Sequence, residues 1–499
     1  MESVPLKTPD TLRFGFENSY QRLPERFYAR LPPVPVKNPK LIVLNHNLAR
    51  DLHLDPAMLS SRGHAFFSGN VLPADAKPIA LAYAGHQFGH FVPQLGDGRA
   101  ILLGELIGSD NQRYDVQLKG SGQTPFSRQG DGRAWLGPVL REYLISEAMH
   151  ALGIPTTRSL AVVTTGETIW REQRALPGAI LTRVAASHIR VGTFQYFAAR
   201  GDQNGIRILA DHVIARHDPD LTHQERPYLA LLASIAERQA ALVAHWLLVG
   251  FIHGVMNTDN TAVSGETIDY GPCAFMDTYD PATVFSSIDQ WGRYAYANQP
   301  EIAAWNLARL AETLLPLIDP DPDKAVSEAN TVIESFAERF TSHWLNGMRA
   351  KMGLVLKEPE DISLAEDFLT LLHNAGADFT VSFRSLSRAI AEDPQVSETF
   401  GEHAAQFNTW ATRWRSRLTR EGRDPMQQEE QILSVNPAVI PRNHRVEVAL
   451  KAAVDDGNLQ PFQTLFDLLQ KPYDIKAEQS DLAQPPAQPQ RDYQTFCGT

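Results

Sequence analysis

The sequence has 499 residues, 43% apolar and 21% charged, a composition typical of a globular protein with a sizeable core. Its 46 basic and 58 acidic residues give a net charge of -12, which argues against nonspecific nucleic-acid binding, because neutralising phosphates requires a basic face. The N-terminus lacks a signal-peptide pattern, and the most apolar run, 240–256, is too short for a membrane span. We therefore expect a cytoplasmic monomer with neither a nucleic-acid nor a membrane partner.

Residues 1–80 are predicted to form loops and short helices around a lobe. The next segment places His86 and His90 four residues apart, a spacing that on a helix would suit two metal ligands. Gly85 and Gly89 weaken such a helix, so histidines with an ordinary packing or capping role are favoured.

A glycine turn runs into an apolar strand at 94–105. Gly96 and Gly98 would let backbone amides approach an anion, and Arg99 can add positive charge, although an ordinary hairpin turn has the same pattern. Lys119 ends a strand pattern twenty-one residues after Gly98, about the separation between the glycine loop and the strand lysine of protein kinases.

A helical pattern begins near Leu136 and carries two glutamates. Either Glu142 or Glu147 could pair with Lys119, as the helix glutamate of kinases does. The intervening stretch, 120–133, contains four glycines and two arginines, which favours a flap that closes on phosphates over a solvated loop.

Two further strands are predicted at 159–169 and 178–184, and a hinge between two lobes follows them. Arg183 and Arg190 flank this hinge. Guanidinium groups match phosphate bidentately, but salt bridges at the lobe junction are an equally good interpretation.

From residue 193 the pattern is helical, and a long amphipathic helix at 227–249 leads into the segment 253–277. Further helices are predicted at 300–317, 325–352, 366–375, 381–391, 402–418 and 446–455. The chain from residue 476 is rich in proline and glutamine, which predicts disorder.

The segment 253–277 gathers a histidine, several potential metal ligands and a cysteine into a loop predicted to be too polar for the core. His253, Asn260 and the Asp269-Tyr-Gly triplet occur in the order of a protein-kinase active site. Val255 stands where a kinase keeps the aspartate that accepts the substrate proton. Either phosphoryl transfer is absent or another residue serves as the base.

Over nearly its whole length the chain resembles the selenoprotein O (YdiU) family. The matching motifs are YAGHQFGHFVPQLGDGRA, QLKGSGQTPFSRQGDGRAWLGPVLREYLISEAMHALGIPTTRSLA, TRVAASHIRVGTFQYFA, HGVMNTDNTAVSGETIDYGPCAFMD and NPAVIPRNHRVE. The resemblance implies an α+β, protein-kinase-like fold of two lobes. A β-rich N-lobe with an N-terminal extension would occupy 1–186, a helical C-lobe 187–474 and a flexible tail 475–499.

The resemblance also implies that ATP binds in a flipped orientation, so that AMP passes to Ser, Thr or Tyr hydroxyls of protein substrates. Asp259 would be the general base, and Asn260 and Asp269 would hold Mg²⁺ or Mn²⁺. The residues implied to bind the nucleotide are Gly96, Gly98, Arg99, Lys119 paired with Glu142, Asp131, Gly132, and, on the terminal phosphates, Arg183 and Arg190.

In this family the end of the tail carries cysteine or selenocysteine, so the resemblance implies a regulatory disulfide between Cys273 and Cys497. Two unrelated reduced thiols are the alternative in a reducing cytosol.

Two other functions stay open: a phosphotransferase that moves the γ-phosphate with Asp259 as base, and an inactive nucleotide-binding scaffold. The joint presence of Lys119, Glu142, a metal-binding asparagine and an aspartate argues against the scaffold, and UTP is left open as a donor.

Overall fold

The structure is a computed structural model that describes residues 12–171, 173–488 and 493–496. Strands dominate the N-terminal part and helices the C-terminal part, so the chain is an α+β protein, as predicted. The strands are β1 (Tyr28–Arg30), β2 (Lys40–Leu44), β3 (Ile79–Leu81), β4 (Gly85–Gln87), β5 (His90–Val92), β6 (Ala100–Ile107), β7 (Arg113–Lys119), β8 (Ala134–Trp135), β9 (Arg158–Arg171), β10 (Arg174–Ala185), β11 (Phe251–Ile252) and β12 (Ala274–Phe275).

One antiparallel sheet of eight strands organises the N-terminal part, in the order β1-β3-β6-β7-β10-β9-β2, with β8 paired to β10. Lys119, the last residue of β7, lies opposite Ala100 of β6 and Leu181 of β10. The lysine is therefore held at the centre of the sheet, beside the glycine turn that precedes β6. Two small hairpins, β4 with β5 and β11 with β12, lie outside this sheet.

The helices follow the predicted order with small differences at their ends. They are α1 (His46–Asp51), α2 (Pro56–Phe67), α3 (Leu136–Ala151), α4 (Val191–Ala198), α5 (Gln203–His217), α6 (Pro227–Leu248), α7 (Gln299–Ile318), α8 (Pro322–Glu334), α9 (Phe336–Lys351), α10 (Asp361–Ala375), α11 (Phe379–Ala389), α12 (Pro394–Glu398), α13 (Ala404–Thr419), α14 (Pro425–Val435), α15 (Asn443–Asp455), α16 (Gln460–Leu469) and α17 (Ile475–Glu478). Within the described ranges, none of them is long and apolar enough to cross a bilayer.

The sheet buries both of its faces. Ile101 and Leu103 of β6 belong to an apolar cluster with α1 and α2, whereas Leu102 belongs to the larger cluster that contains α3 and the C-terminal helices. This division follows from the period of two along a strand, which sends successive side chains to opposite faces. Helix α3 therefore lies between the sheet and the helical part of the molecule.

One helix prediction is wrong, and the disfavoured pairing of two histidines on a helical face is not formed. The single helix predicted at 325–352 is interrupted at Ser335, whose hydroxyl donates to the Val332 carbonyl oxygen (2.8 Å), so that α8 and α9 are separate helices. The segment 83–90 contains the start of a β-hairpin, so His86 and His90 do not share a helical face. His86 packs against Trp305 (5.2 Å between ring centroids), in agreement with the favoured packing role.

Part of the tail contacts the body of the molecule, although the whole of it was predicted to be flexible. Residues 475–478 form α17, and Thr495 is buried. The Thr495 hydroxyl donates to the Pro272 carbonyl oxygen (2.7 Å), and its backbone N–H donates to the Phe285 carbonyl oxygen (2.8 Å). Cys497 lies outside the described residues.

Candidate active site

A cavity of about 620 Å³ lies between the sheet and the loop that follows α6. It brings together eleven of the residues predicted from sequence: Gly96, Gly98, Arg99, Lys119, Asp131, Gly132, Arg183, Arg190, Asp259, Asn260 and Asp269. Glu142 is buried behind them and reaches the cavity through Lys119. Their individual roles stay predictions, but residues spread over 174 positions of the sequence line one space.

Lys119 is held between two carboxylates. Its Nζ atom lies 2.5 Å from Glu142 Oε2 and 2.5 Å from Asp269 Oδ1. Glu147, the other glutamate that the sequence offered, is fully buried elsewhere and pairs with Arg158 (2.7 Å). The structure therefore selects Glu142 from the two candidates.

Asp269 has a strained backbone and a stabilised charge. Its φ of 71° lies in the left-handed region, which a non-glycine residue adopts only where its surroundings enforce it. Burial alone would raise the pKa of Asp269, but the positive charges of Lys119, Arg183 and Arg99 outweigh burial and hold that pKa well below its ordinary value. Asp269 is therefore an anion in the cavity wall at neutral pH.

The loop 253–277 was predicted to be too polar for the core, and this is wrong for most of it. His253 is only 1% exposed, and its Nε2 atom lies 2.9 Å from the Ile268 carbonyl oxygen. Thr258 is fully buried, and its hydroxyl donates to Gln195 Oε1 (2.6 Å). The loop can be buried because its polar groups are hydrogen-bonded, which composition alone cannot reveal.

Asp259 is buried next to the cavity with incomplete hydrogen bonding. It is 7% exposed, Gln87 Nε2 donates to its Oδ2 atom (3.3 Å), and its Oδ1 atom is buried with no hydrogen-bond partner. Burial raises the pKa of Asp259 to about 6, against the opposing charge of Arg190. Gly85 of β4 packs so closely that a β-carbon there would lie 2.4 Å from Asp259 Oδ1, so only glycine fits.

The glycine turn differs in detail from the anion cradle that its pattern suggested. The Asp97 N–H donates to the Leu81 carbonyl oxygen (2.9 Å), and the Gly98 N–H donates to the Gly96 carbonyl oxygen (2.8 Å). Both amides are therefore already used within the protein. Gly96 instead makes room for Phe126, since a β-carbon at Gly96 would lie 2.3 Å from that ring.

Phe126 belongs to the predicted flap, 120–133, which rests on the glycine turn. The Thr124 hydroxyl donates to the Asp97 carbonyl oxygen (2.8 Å), and the Ser127 hydroxyl donates to the Gly98 carbonyl oxygen. At the other end of the flap, Asp131 pairs with Arg171 (2.8 Å), the last residue of β9. The flap thus forms one wall of the cavity.

Arg183 and Arg190 lie at the buried end of the cavity. Arg183 Nη1 lies 3.2 Å from Glu142 Oε1, so the salt bridge that the sequence offered as an alternative is present. Arg190 Nη1 donates to the Asp259 carbonyl oxygen (2.6 Å), and its guanidinium lies over the Tyr83 ring (4.5 Å). Both arginines also line the cavity, so these contacts position them without removing them from it.

The cavity lining is cationic although the chain as a whole is acidic. Among the described lining residues, seven are basic (Arg99, Lys119, Arg128, Arg133, Arg171, Arg183 and Arg190) and four are acidic (Asp97, Asp131, Asp259 and Asp269). An excess of cationic groups in the lining favours a polyanion such as a nucleotide polyphosphate. Arg128 and Arg133 are the two arginines of the predicted flap, whereas sequence reasoning missed Asp97, Arg171 and Gln87.

Asn260 and Asp269 offer oxygen ligands of the kind that Mg²⁺ and Mn²⁺ prefer. Asn260 Nδ2 donates to the Val255 carbonyl oxygen (3.1 Å), which uses the amide nitrogen and leaves the amide oxygen for a ligand. Residues 12–171, 173–488 and 493–496 contain no group of three or more His, Cys, Asp or Glu side chains that could hold a metal. A two-ligand site suits magnesium, which keeps several waters and phosphate oxygens, so the donor set fits.

Comparison with known proteins agrees with the resemblance seen in the motifs. The family model described as protein adenylyltransferase SelO matches residues 10–470. The chain is 59% identical to protein nucleotidyltransferase YdiU of Rhizobium johnstonii over 502 residues, which cover 100% of both chains. It is 58% identical to the proteins of the same name from Rhizobium meliloti (97% of this chain, 99% of the relative) and Bradyrhizobium diazoefficiens (98% and 100%). The chain therefore belongs to the SelO family of protein adenylyltransferases.

Proposed function

We propose that this protein transfers AMP from ATP to Ser, Thr or Tyr hydroxyls of protein substrates and releases pyrophosphate, on a kinase-like fold of two lobes. The observation that carries the proposal is the convergence of Lys119, Asn260 and Asp269 with the buried carboxylate of Asp259 on one cationic cavity. Family membership supports nucleotidyl transfer. Val255 supports a chemistry in which the usual kinase base is absent.

Lys119 binds phosphate oxygens, and Glu142 holds its ammonium group in position from behind (2.5 Å). Asn260 and Asp269 would hold a divalent metal, which would supply the neutralisation of phosphate charge on which transfer depends. Asp269 also contacts Lys119 directly (2.5 Å), so the fold itself brings the acidic and basic groups of the site together. Such preorganisation lowers the reorganisation needed at the reaction step.

Asp259 accepts the proton of the acceptor hydroxyl. The hydroxyl oxygen forms a bond to the α-phosphorus, the bond from that phosphorus to the bridging oxygen of the β-phosphate breaks, and pyrophosphate leaves. A pKa of about 6 leaves Asp259 ionised at neutral pH while making it a stronger base than an exposed aspartate. The carboxylate lines the cavity, where the hydroxyl would meet it.

Arg183 and Arg190 are proposed to hold the terminal phosphates. They are 3% and 5% exposed, which places strong positive charge at the least accessible part of the lining. Binding the β- and γ-phosphates there would leave the α-phosphate nearer the acceptor. The flap would cover the nucleotide from the other side, with Arg128 and Arg133 adding charge.

We also propose lobe boundaries at 1–186 and 187–474, a monomeric state and a cytoplasmic location, which rest on the sequence. The last strand of the large sheet, β10, ends at Ala185, and the first helix of the C-terminal part, α4, begins at Val191. UTP is a second donor to be tested in parallel with ATP.

Transfer of label from ATP tests the proposal. Purified protein is incubated with Mg²⁺ or Mn²⁺, reductant and a mixed protein lysate, using ATP radiolabelled at either the α- or the γ-phosphate. We expect protein-bound label from the α position only. Label from the γ position only would contradict the proposal and identify a phosphotransferase, and label from neither would favour the scaffold.

We further propose that a disulfide between Cys273 and Cys497 regulates transfer. Thr495, two residues before Cys497 in the sequence, contacts Pro272, the neighbour of Cys273. Cys273 is fully buried, and burial raises the pKa of its thiol to about 12, so Cys273 is a poor attacking thiolate in this conformation. Formation of the bond would therefore need a local opening that exposes Cys273 and a peroxide as oxidant. The peroxide converts one thiol to a sulfenic acid, the thiolate of the other cysteine attacks that sulfur, and the sulfenic oxygen leaves as water.

Reductant dependence tests this regulation. We expect oxidised protein to gain transfer activity on addition of dithiothreitol and Cys497→Ser to show the same rate with and without it. On non-reducing gels, oxidised wild type should show a band shift caused by the disulfide, and Cys497→Ser should not. If Cys497→Ser responds to reductant as wild type does, the pair of Cys273 and Cys497 does not regulate transfer.

A further inference from the structure

A second groove, of about 560 Å³, lies outside the nucleotide cavity and exposes two large apolar side chains. Trp291 is 94% exposed and Ile288 is 53% exposed, both on the loop 286–298. Full exposure of a tryptophan is unfavourable, and an exposed aromatic residue next to a groove is typical of an interaction site.

The loop that carries Trp291 is held in place by hydrogen bonds. Asp289 is only 6% exposed, and its carboxylate accepts the backbone N–H groups of Arg293 (2.9 Å) and Tyr294 (2.8 Å). Asn298 Nδ2 donates to the Gly292 carbonyl oxygen (2.8 Å). Trp291 is therefore presented on a fixed turn, which reduces the entropy lost when a partner packs against it.

Hydrogen bonds connect the walls of the groove to the predicted catalytic loop. Asn257 Oδ1 accepts hydrogen bonds from the Tyr294 hydroxyl (2.7 Å) and from the Phe88 N–H (3.0 Å). Asn257 thus joins the Trp291 loop and the β4–β5 hairpin at a position two residues before Asp259. Gln87, next to Phe88, also contacts the Asp259 carboxylate (3.3 Å).

We propose that this groove binds the protein acceptor, and that an apolar or aromatic side chain flanking the target hydroxyl packs against Trp291 and Ile288. This inference rests on the proposed function. The connection to Asp259 through Asn257 and Gln87 favours the acceptor, since the acceptor must bring its hydroxyl to that carboxylate while ATP fills the cationic cavity. Charges of both signs, from Arg293 and Glu301, border the groove and suit a polypeptide that offers both apolar and polar groups.

Binding and transfer are measured with the same probes. The probes are two fluorescein-labelled peptides of 13 residues, each with a central serine. In the apolar-flanked peptide leucine and phenylalanine flank the serine, and in the second peptide glutamine replaces both. In wild type we expect the apolar-flanked peptide to bind at least about 10-fold more tightly by fluorescence anisotropy, and Trp291→Ala to weaken that binding by at least about 10-fold. The affinity for ATP should not change. Met426→Ala, which removes another exposed apolar side chain (68%) on α14, is the matched control and should bind like wild type.

The outcomes separate the groove from the chemistry. Binding that depends on Trp291, accompanied by AMP transfer to the apolar-flanked peptide with a raised KM in Trp291→Ala, supports both proposals. Equal binding of the two peptides, or binding unaffected by Trp291→Ala, would overturn the groove proposal and leave AMP transfer standing. Trp291-dependent binding without AMP transfer would keep the groove and count against the proposed function. A dimer in wild type that Trp291→Ala converts to a monomer would assign the groove to a second copy and overturn the acceptor.

Discussion

Replacing Asp269 with alanine is expected to lower AMP transfer by about 10²- to 10³-fold, with most of the loss in kcat. The substitution removes the only carboxylate of the proposed metal pair and also one of the two partners of Lys119. The measurement is the initial rate of label transfer from α-labelled ATP at saturating Mg²⁺. We expect the variant to fold, because Asp269 lies in the cavity wall and the smaller alanine clashes with nothing there, although alanine tolerates the left-handed backbone less well than aspartate.

Asp367→Ala is the matched control for this experiment. Asp367 is an exposed carboxylate of α10 that pairs with Arg413 (2.7 Å), so its loss removes an ion pair without touching the cavity. It should keep wild-type transfer. If Asp269→Ala unfolds cooperatively and still transfers AMP at the wild-type rate, the reaction does not take place in this cavity.

Asp259→Asn is expected to lose activity and gain stability. Transfer should fall by about 10²- to 10⁴-fold, the usual contribution of a general base, while ATP binding is retained. In the metal-free protein the buried carboxylate of Asp259 has an oxygen with no hydrogen-bond partner, so a neutral side chain of the same shape is easier to bury. We expect the free energy of unfolding at pH 7.5 to rise by about 1–3 kcal/mol.

The pH dependence of this gain follows from the direction of the pKa shift. The folded-state pKa of Asp259 is raised from 3.8 to about 6, so below pH 3.8 the side chain is protonated in both states and costs nothing. As the pH rises from 3.8 to 6, the unfolded chain releases the proton first and the cost builds up. Unfolding by urea in the presence of a chelator should therefore show a large difference between variant and wild type at pH 7.5 and a small one near pH 4.5. A variant less stable than wild type at pH 7.5 would contradict the burial argument.

The order of the central residues was predictable because each lies in a local pattern. A glycine turn before a strand, a lysine at a strand end and an asparagine seven residues after a histidine can all be read along the chain. The choice between Glu142 and Glu147 could not be read in this way. Nearly all of α3 is buried, so hydrophobic periodicity does not show which of its faces meets Lys119.

Contacts between distant segments account for most of what the sequence did not reveal. Arg171 reaches Asp131 across 40 residues, and Gln87 reaches Asp259 across 172. Neither side chain stands in a pattern that marks it as functional. The burial of the loop after α6 was missed for a related reason, because its polar groups find partners on α4 and α7, far away in the sequence.

The order of the large sheet leaves β1 and β2 at its two edges. Edge strands expose unpaired backbone groups that can recruit a strand from another molecule. Here β1 has only three residues, and the pairing of β2 with β9 is irregular between Leu41 and Val43. Neither edge offers a long regular ladder, so the architecture disfavours aggregation through intermolecular β-sheet even at high protein concentration.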